Sequence, residues 1–197
     1  MRKQPQQQRA RELVKRILQA TEAYIANHGL DELTTPKISK LSGISVGSIY
    51  QYFNNKQEII ESLLEYKSHQ LGEEFKQFVL CYNSADLSSL VAASIDFGFK
   101  QLQADNGYYL QIVKHWHQLD AQNAMKILEN YCYELCLNVL DRLYEGSNRE
   151  RLDTKAFIII SSVLNTTMNY CIQEKPLFTE EEVKQELTEM VVSYLQK

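Results

Sequence analysis

Glycine and proline are scarce in this chain: seven and three among 197 residues. So few turn-formers leave little room for the many tight turns of an all-β fold and favour long, unbroken helices. No strand-like alternation of apolar and polar residues occurs, and there is no internal repeat. No apolar run is long enough to cross a membrane as a helix. The opening MRKQPQQQRA has no apolar segment of the secretory kind. The four cysteines show no paired spacing, which fits a reducing cytoplasm. Catalytic signatures are missing as well. There is no G-x-S-x-G, no phosphate loop, no H-E-x-x-H and no G-x-G-x-x-G. Nothing in the pattern points to an enzyme or a cofactor. Cys132 and Cys136 stand four apart on one helical face near His115 and His117, but that is not the knuckle of a zinc site.

Charge, by contrast, is present and unevenly spread. The net charge is −4. Residues through Lys56 carry +5 and the remainder −9. A basic head on an acidic body is the distribution expected of a nucleic-acid-binding module joined to one that does not bind it. Hydrophobic residues make up 44% of the chain, enough for a core. Helical spacing predicts a first helix from about Gln7 to Asn27, stopped at Gly29. Others follow over about Lys56–Leu80, Leu87–Gln103, Tyr108–His117, Ala121–Tyr144, Thr154–Gln173 and, capped by Thr179, to about Leu195. Tyr82–Asp86 and Asp105-Asn106-Gly107 read as loop and turn. Arg2 and Lys3 lie on a Gln-rich arm able to touch phosphate or a minor groove.

The most informative stretch is Leu33 to Leu64. Thr35 suits an N-cap, with Pro36 behind it at the first helical position. Ile38 and Leu41 share one face. Gly43 can turn the chain with a positive φ, and Ser45 can cap a second short helix, Val46 to Tyr52. Ile49 and Phe53 face inward. This is helix, turn, helix at the spacing that suits DNA. Val46, Gly47, Ser48, Tyr50, Gln51 and Tyr52 are left outside. Gly47 allows close approach of another surface, Ser48 and Gln51 can reach base edges, and Tyr50 and Tyr52 can donate to phosphate. Lys56 can place its charge on the backbone. Three helices in so few residues form a marginal core, so this head should lean on the helix after it.

The run TTPKISKLSGISVGSIYQYFNNKQEII resembles the helix-turn-helix signature of the TetR (tetracycline repressor) family. The likeness rests on the paired threonines, the Gly43 turn, the Ser45 cap, Gly47-Ser48, the Ile49-Tyr50-x-Tyr52-Phe53 block and Asn55-Lys56. At Val46, where many members carry Lys or Arg, this chain departs from the pattern and offers no basic side chain. The resemblance implies an all-α protein of about nine helices. A three-helix DNA-binding head over residues 1–55 would be followed by a helical-bundle body over 56–197. It implies a homodimer through the last two helices, whose apolar runs include Phe157–Ile160 and Leu187, Met190 and Val191. A dimer also suits a palindromic operator in double-stranded DNA, since one short helix reads only a few base pairs. Thr35, Tyr50, Tyr52 and Lys56 would position the head, and Ser48 and Gln51 would read bases beside Val46 and Gly47.

The body is rich in aromatics. They are what any bundle uses as core, and equally what lines a cavity for an apolar or aromatic ligand. The resemblance implies the second use. Phe97, Trp116, Tyr131, Phe157 and Tyr170 would be effector-binding, and a bound effector would release a repressor from its operator. Two other readings fit the residues. One is a regulator whose body only dimerises. The other is a helical carrier or enzyme with an inactive head.

Overall fold

A computed structural model describes residues 4–82, 86–104, 107–143 and 149–196. Arg2 and Lys3, most of the loop before Asp86, Asp105-Asn106, and Tyr144 with Gly146 lie outside the described residues. Among those described, nine α-helices occur and no strand. They are α1 (Gln4–His28), α2 (Thr35–Ser42), α3 (Val46–Ile49), α4 (Lys56–Cys81), α5 (Leu87–Gln103), α6 (Tyr108–Lys114), α7 (Gln122–Leu143), α8 (Arg149–Cys171) and α9 (Glu180–Leu195). A single 3-10 turn, Trp116–Gln118, follows α6. The chain divides into two compact units: Met1–Lys67 with Ala104–Ala124, and Ser68–Gln103 with Met125–Lys197.

In the first unit, α1 presents Ile17, Tyr24 and Ile25 on one stripe. Thr21 sits on the same stripe because its hydroxyl donates to the Ile17 carbonyl at 2.8 Å, which satisfies it internally. Leu33, Ile38, Ile49, Ile59 and Leu63 close the core from α2, α3, α4 and the connections. The core does not end with the head's three helices. α4 adds Ile60 and Leu64, and α6 inserts Tyr108 and Ile112. Gly29 and Gly43 end α1 and α2 with φ of 80° and 68°, the left-handed region that glycine enters without penalty.

Two local details differ from the sequence reading. The N-cap of α2 is Thr34, extended at φ −138° and ψ 153°, so Thr35 is the first helical residue and its side chain is buried. The buried side of α2 begins at Thr35, and only the neighbour with an extended backbone can stand outside the helix. The second short helix also ends early. After Ile49 the backbone tightens into three-residue bonds, Gln51 N–H to Ser48 and Tyr52 N–H to Ile49. Tyr50 to Tyr52 therefore lie on a turn rather than on α3.

In the second unit, α5 packs on α8 and α9. Leu137, Leu140, Leu152, Ala156, Ile160, Val191 and Leu195 form one apolar cluster, and Ile95, Phe99 and Leu187 another. Thr179 and Glu182 form a full capping box at the start of α9, each side chain bonding the other's backbone N–H. At Gly72 on α4, an added Cβ would lie 2.3 Å from the Tyr131 ring of α7, so only glycine permits this approach. α8 starts earlier than the sequence suggests, at Arg149 rather than Thr154.

Candidate nucleic-acid interface and candidate cavity

The turn between α2 and α3 is built by short-range bonds. Ser45 Oγ accepts the Ser48 N–H at 3.1 Å and lies 2.9 Å from Ser48 Oγ. This fixes the first turn of α3 and ties the Ser48 hydroxyl to its cap. Arg16 of α1 braces the corner by donating Nη2 to the Ser42 carbonyl at 2.7 Å. The start of α4 is held by Asn55, whose Oδ1 accepts the Glu58 N–H at 2.9 Å. Glu58 in turn accepts from the Asn54 N–H at 2.6 Å.

The residues singled out for DNA contact differ in exposure. Gly47, Tyr50 and Gln51 are exposed, Tyr50 by 52%. Beyond its chain neighbours and its own helix backbone, no atom of the described residues lies within 4 Å of a Cβ placed on Gly47, so open space faces it. Val46, Ser48 and Tyr52 are half-buried, with Tyr52 packed against the core. Thr35 is buried, which leaves its backbone rather than its hydroxyl at the helix start. Lys56 opens α4, and its ammonium donates to the Leu33 carbonyl at 3.0 Å. An ammonium has three N–H donors, so that bond leaves two.

Leu41, placed by its spacing on one face with Ile38, is instead 55% exposed at the end of α2 while Ile38 is buried, and it stands beside exposed Lys40. Lys37 donates to the carbonyl and carboxylate of Glu32 and stands 5.1 Å from the Tyr24 ring centre. The bond with Tyr24, outweighing desolvation, holds the Lys37 pKa above its ordinary value.

The second unit contains a cavity of about 230 Å³. Leucine, valine and isoleucine side chains dominate its wall, with Phe75 and Phe97 the aromatics among the described residues. Among the described residues, no Asp, Glu, Lys, Arg or His lines it. Cys132 and Cys136 do, and burial pushes their thiols up to about 12 and about 11, so both are protonated near neutral pH.

Of the five aromatics named as effector-binding, only Phe97 reaches this wall, held by Phe75 and Phe78 at ring distances of 5.3 and 5.1 Å. The others go elsewhere. Trp116 packs on the core of the first unit. Tyr131 fills the space over Gly72 and meets the His69 ring edge-on. Phe157 is 66% exposed. Tyr170 packs on Phe99 and donates its hydroxyl to the Phe178 carbonyl. The wall residues Ser94, Gly98 and Thr167 carry no periodic signal that separates them from ordinary core.

Among the described residues, no helix is long and apolar enough to cross a membrane. No group of three metal-ligating side chains occurs among them either.

Residues 17–63 match the family model for bacterial regulatory proteins of the tetR family. The chain is 24% identical over 127 residues to the HTH-type transcriptional regulator BetI of Yersinia pestis, covering 60% of this chain and 64% of that one. It thus spans less than two thirds of that relative's length. It is 28% identical over 144 residues to the fatty acid metabolism regulator protein of Bacillus subtilis, covering 71% and 72% of the two chains. Among solved structures, the fatty acid degradation regulator FadR of Bacillus halodurans superposes with a TM-score of 0.59 at 20% identity, over 93% of each chain. RolR in complex with resorcinol does so with 0.67 at 15% identity, over 96% of this chain and 94% of that one. At these identities the structural likeness is one of fold.

Proposed function

Because this chain belongs to the TetR family of bacterial regulatory proteins, we propose that it is a ligand-responsive, homodimeric, DNA-binding transcriptional repressor. The head binds a palindromic operator in double-stranded DNA. The observation that carries this reading is the exposed corner at Gly47. A helix start with small residues, capped by Ser45 and open to solvent, can enter a major groove.

On this reading Tyr50 and Tyr52 donate to phosphate, Thr35 uses its backbone N–H, and Lys56 uses its two remaining donors. Ser48 and Gln51 reach base edges, and Val46 and Gly47 lie in close contact. Operator half-sites lie about 34 Å apart, one turn of DNA, so a dimer holds both heads at a fixed spacing. A small apolar effector in the cavity of the second unit releases the protein by favouring a state whose heads no longer match that spacing. The exposed apolar side chains of Phe157 and Ile158 on α8 and Met190 on α9 support a dimer through these two helices.

The variant that tests the reading is Gly47→Glu. The site has room for the side chain, and an acid in the first turn of a helix is tolerated. The fold should persist while the new charge faces phosphate, so DNA binding should fail in a folded protein. Undiminished binding would overturn the docking.

A further inference from the structure

We infer that Thr167 is the polar anchor of the cavity in the second unit, and that the ligand there is an uncharged, largely aliphatic molecule bearing one hydrogen-bonding oxygen. This rests on the proposed reading that the cavity holds the effector, and it names that effector's chemistry.

A threonine inside a helix can satisfy its hydroxyl by turning it back to the carbonyl three or four residues earlier. Thr21 does so to Ile17 at 2.8 Å, and Thr188 to Lys184 at 2.7 Å. Thr167 does not. Its residue is 4% exposed, it lines the cavity, and its Oγ1 has no hydrogen-bond partner among the described residues. Its methyl is turned towards Gly98, with Cγ2 3.9 Å from where a Cβ of that residue would stand. A buried hydroxyl without a partner destabilises the protein that carries it. A ligand oxygen would relieve that cost.

The rest of the wall sets the ligand's other properties. Leu90, Val91, Leu135, Ile160 and Val163 are typical of it, so most of the bound surface must be aliphatic. With Ser94, Gln101 and Thr167 as its polar side chains and no charged one among the described wall residues, a buried carboxylate or ammonium would have no counter-charge and would be disfavoured. The protonated Cys132 and Cys136 thiols supply no compensating charge. An ester, ketone or alcohol on a short alkyl chain satisfies all three conditions.

Calorimetric titration of the full chain, free of DNA, tests this with octanone, octanol and octanoate. Octanone and octanol should bind, and octanoate at neutral pH should bind at least tenfold more weakly. Thr167→Val keeps the shape but removes the hydroxyl, and should weaken octanone by about fivefold, the worth of one neutral hydrogen bond. The same variant should melt higher than the parent without ligand, because the unpaired hydroxyl is gone. Thr167→Ser should retain most of the affinity.

Unchanged octanone affinity in Thr167→Val would overturn the anchor. Equal binding of octanoate, or no binding of octanone, would overturn the ligand class. Binding as described with DNA affinity unaltered would support this inference and remove the regulatory reading instead.

Discussion

The ammonium of Lys67 lies 2.7 Å from a carboxylate oxygen of Glu22, in a side chain only 4% exposed. The pair joins α4 to α1. The rings of Tyr109 and Tyr108 stand 5.2 and 5.7 Å from the same ammonium, so α6 closes over it. A buried charge is tolerable only while its partner is present. Glu22→Gln should therefore lower unfolding stability by about 3 kcal/mol, and Glu22→Gln with Lys67→Met should recover much of that loss. Urea unfolding of the three proteins checks this. A double variant no more stable than Glu22→Gln would show that the charge pair is not the cause.

At Gly72 the constraint is one of space. Its added Cβ would meet Tyr131 at 2.3 Å, and the nearest atoms include the ring's Cγ, which cannot swing away as a chain end does. Gly72→Ala should cost about 1–3 kcal/mol, even though alanine is the better helix former. In a Tyr131→Ala background most of that cost should vanish. Thermal unfolding of the double-mutant cycle measures the coupling, and additive effects would contradict the packing account.

These two sites mark where the sequence stops being legible. The helix-turn-helix was readable because its signals are local: a turn glycine at Gly43, a cap at Ser45, and inward residues Ile49 and Phe53 at helical spacing. The insertion of Tyr108 and Ile112 into the same core was not readable, since those residues lie some fifty positions downstream. The same limit governs the cavity. Phe97 and Phe157 look alike as aromatics on amphipathic helices, yet one lines the cavity and the other faces solvent. Consecutive apolar residues such as Phe157 to Ile160 cannot share one helical face, so some of them must point outward. Thr167 was invisible because its meaning depends on a bond it does not make.

Acid should loosen the contact of α9 with α5. Lys184 donates to Asp96 at 2.8 Å and also pairs with Glu180, and Lys100 meets Asp96 at 2.6 Å. The bonds from Lys100 and Lys184 hold the Asp96 carboxyl below its ordinary 3.8, and the bond from Lys184 holds Glu180 below its ordinary 4.5. A lowered carboxyl pKa contributes stability above the unfolded value, and that contribution is lost as pH falls through the folded one. The melting difference between parent and Lys184→Met should thus be constant above about pH 5 and shrink below about pH 4. A difference that grows in acid would refute the assignment. Asp96 is partly exposed, so solvent keeps the effect small.

The proposed dimer gives a further outcome. Phe157, Ile158 and Met190 are large apolar side chains left exposed on α8 and α9. Sedimentation equilibrium should give twice the chain mass of 22.9 kDa. Phe157→Glu should shift the protein towards monomer while it stays folded, because the residue contributes little to the chain's own core. A monomeric parent would remove the dimer.

Fluorescence anisotropy across a salt series decides whether the head reads DNA. The duplex would come from upstream of the protein's own coding region, with a scrambled duplex beside it and Gly47→Glu as the matched variant. The parent should bind the upstream duplex more tightly, with affinity falling steeply with salt by about 0.9 log units per phosphate contact for each tenfold rise. Folded Gly47→Glu should bind neither duplex. No binding by the parent at low salt, or equal binding by parent and variant, would contradict a DNA-reading head.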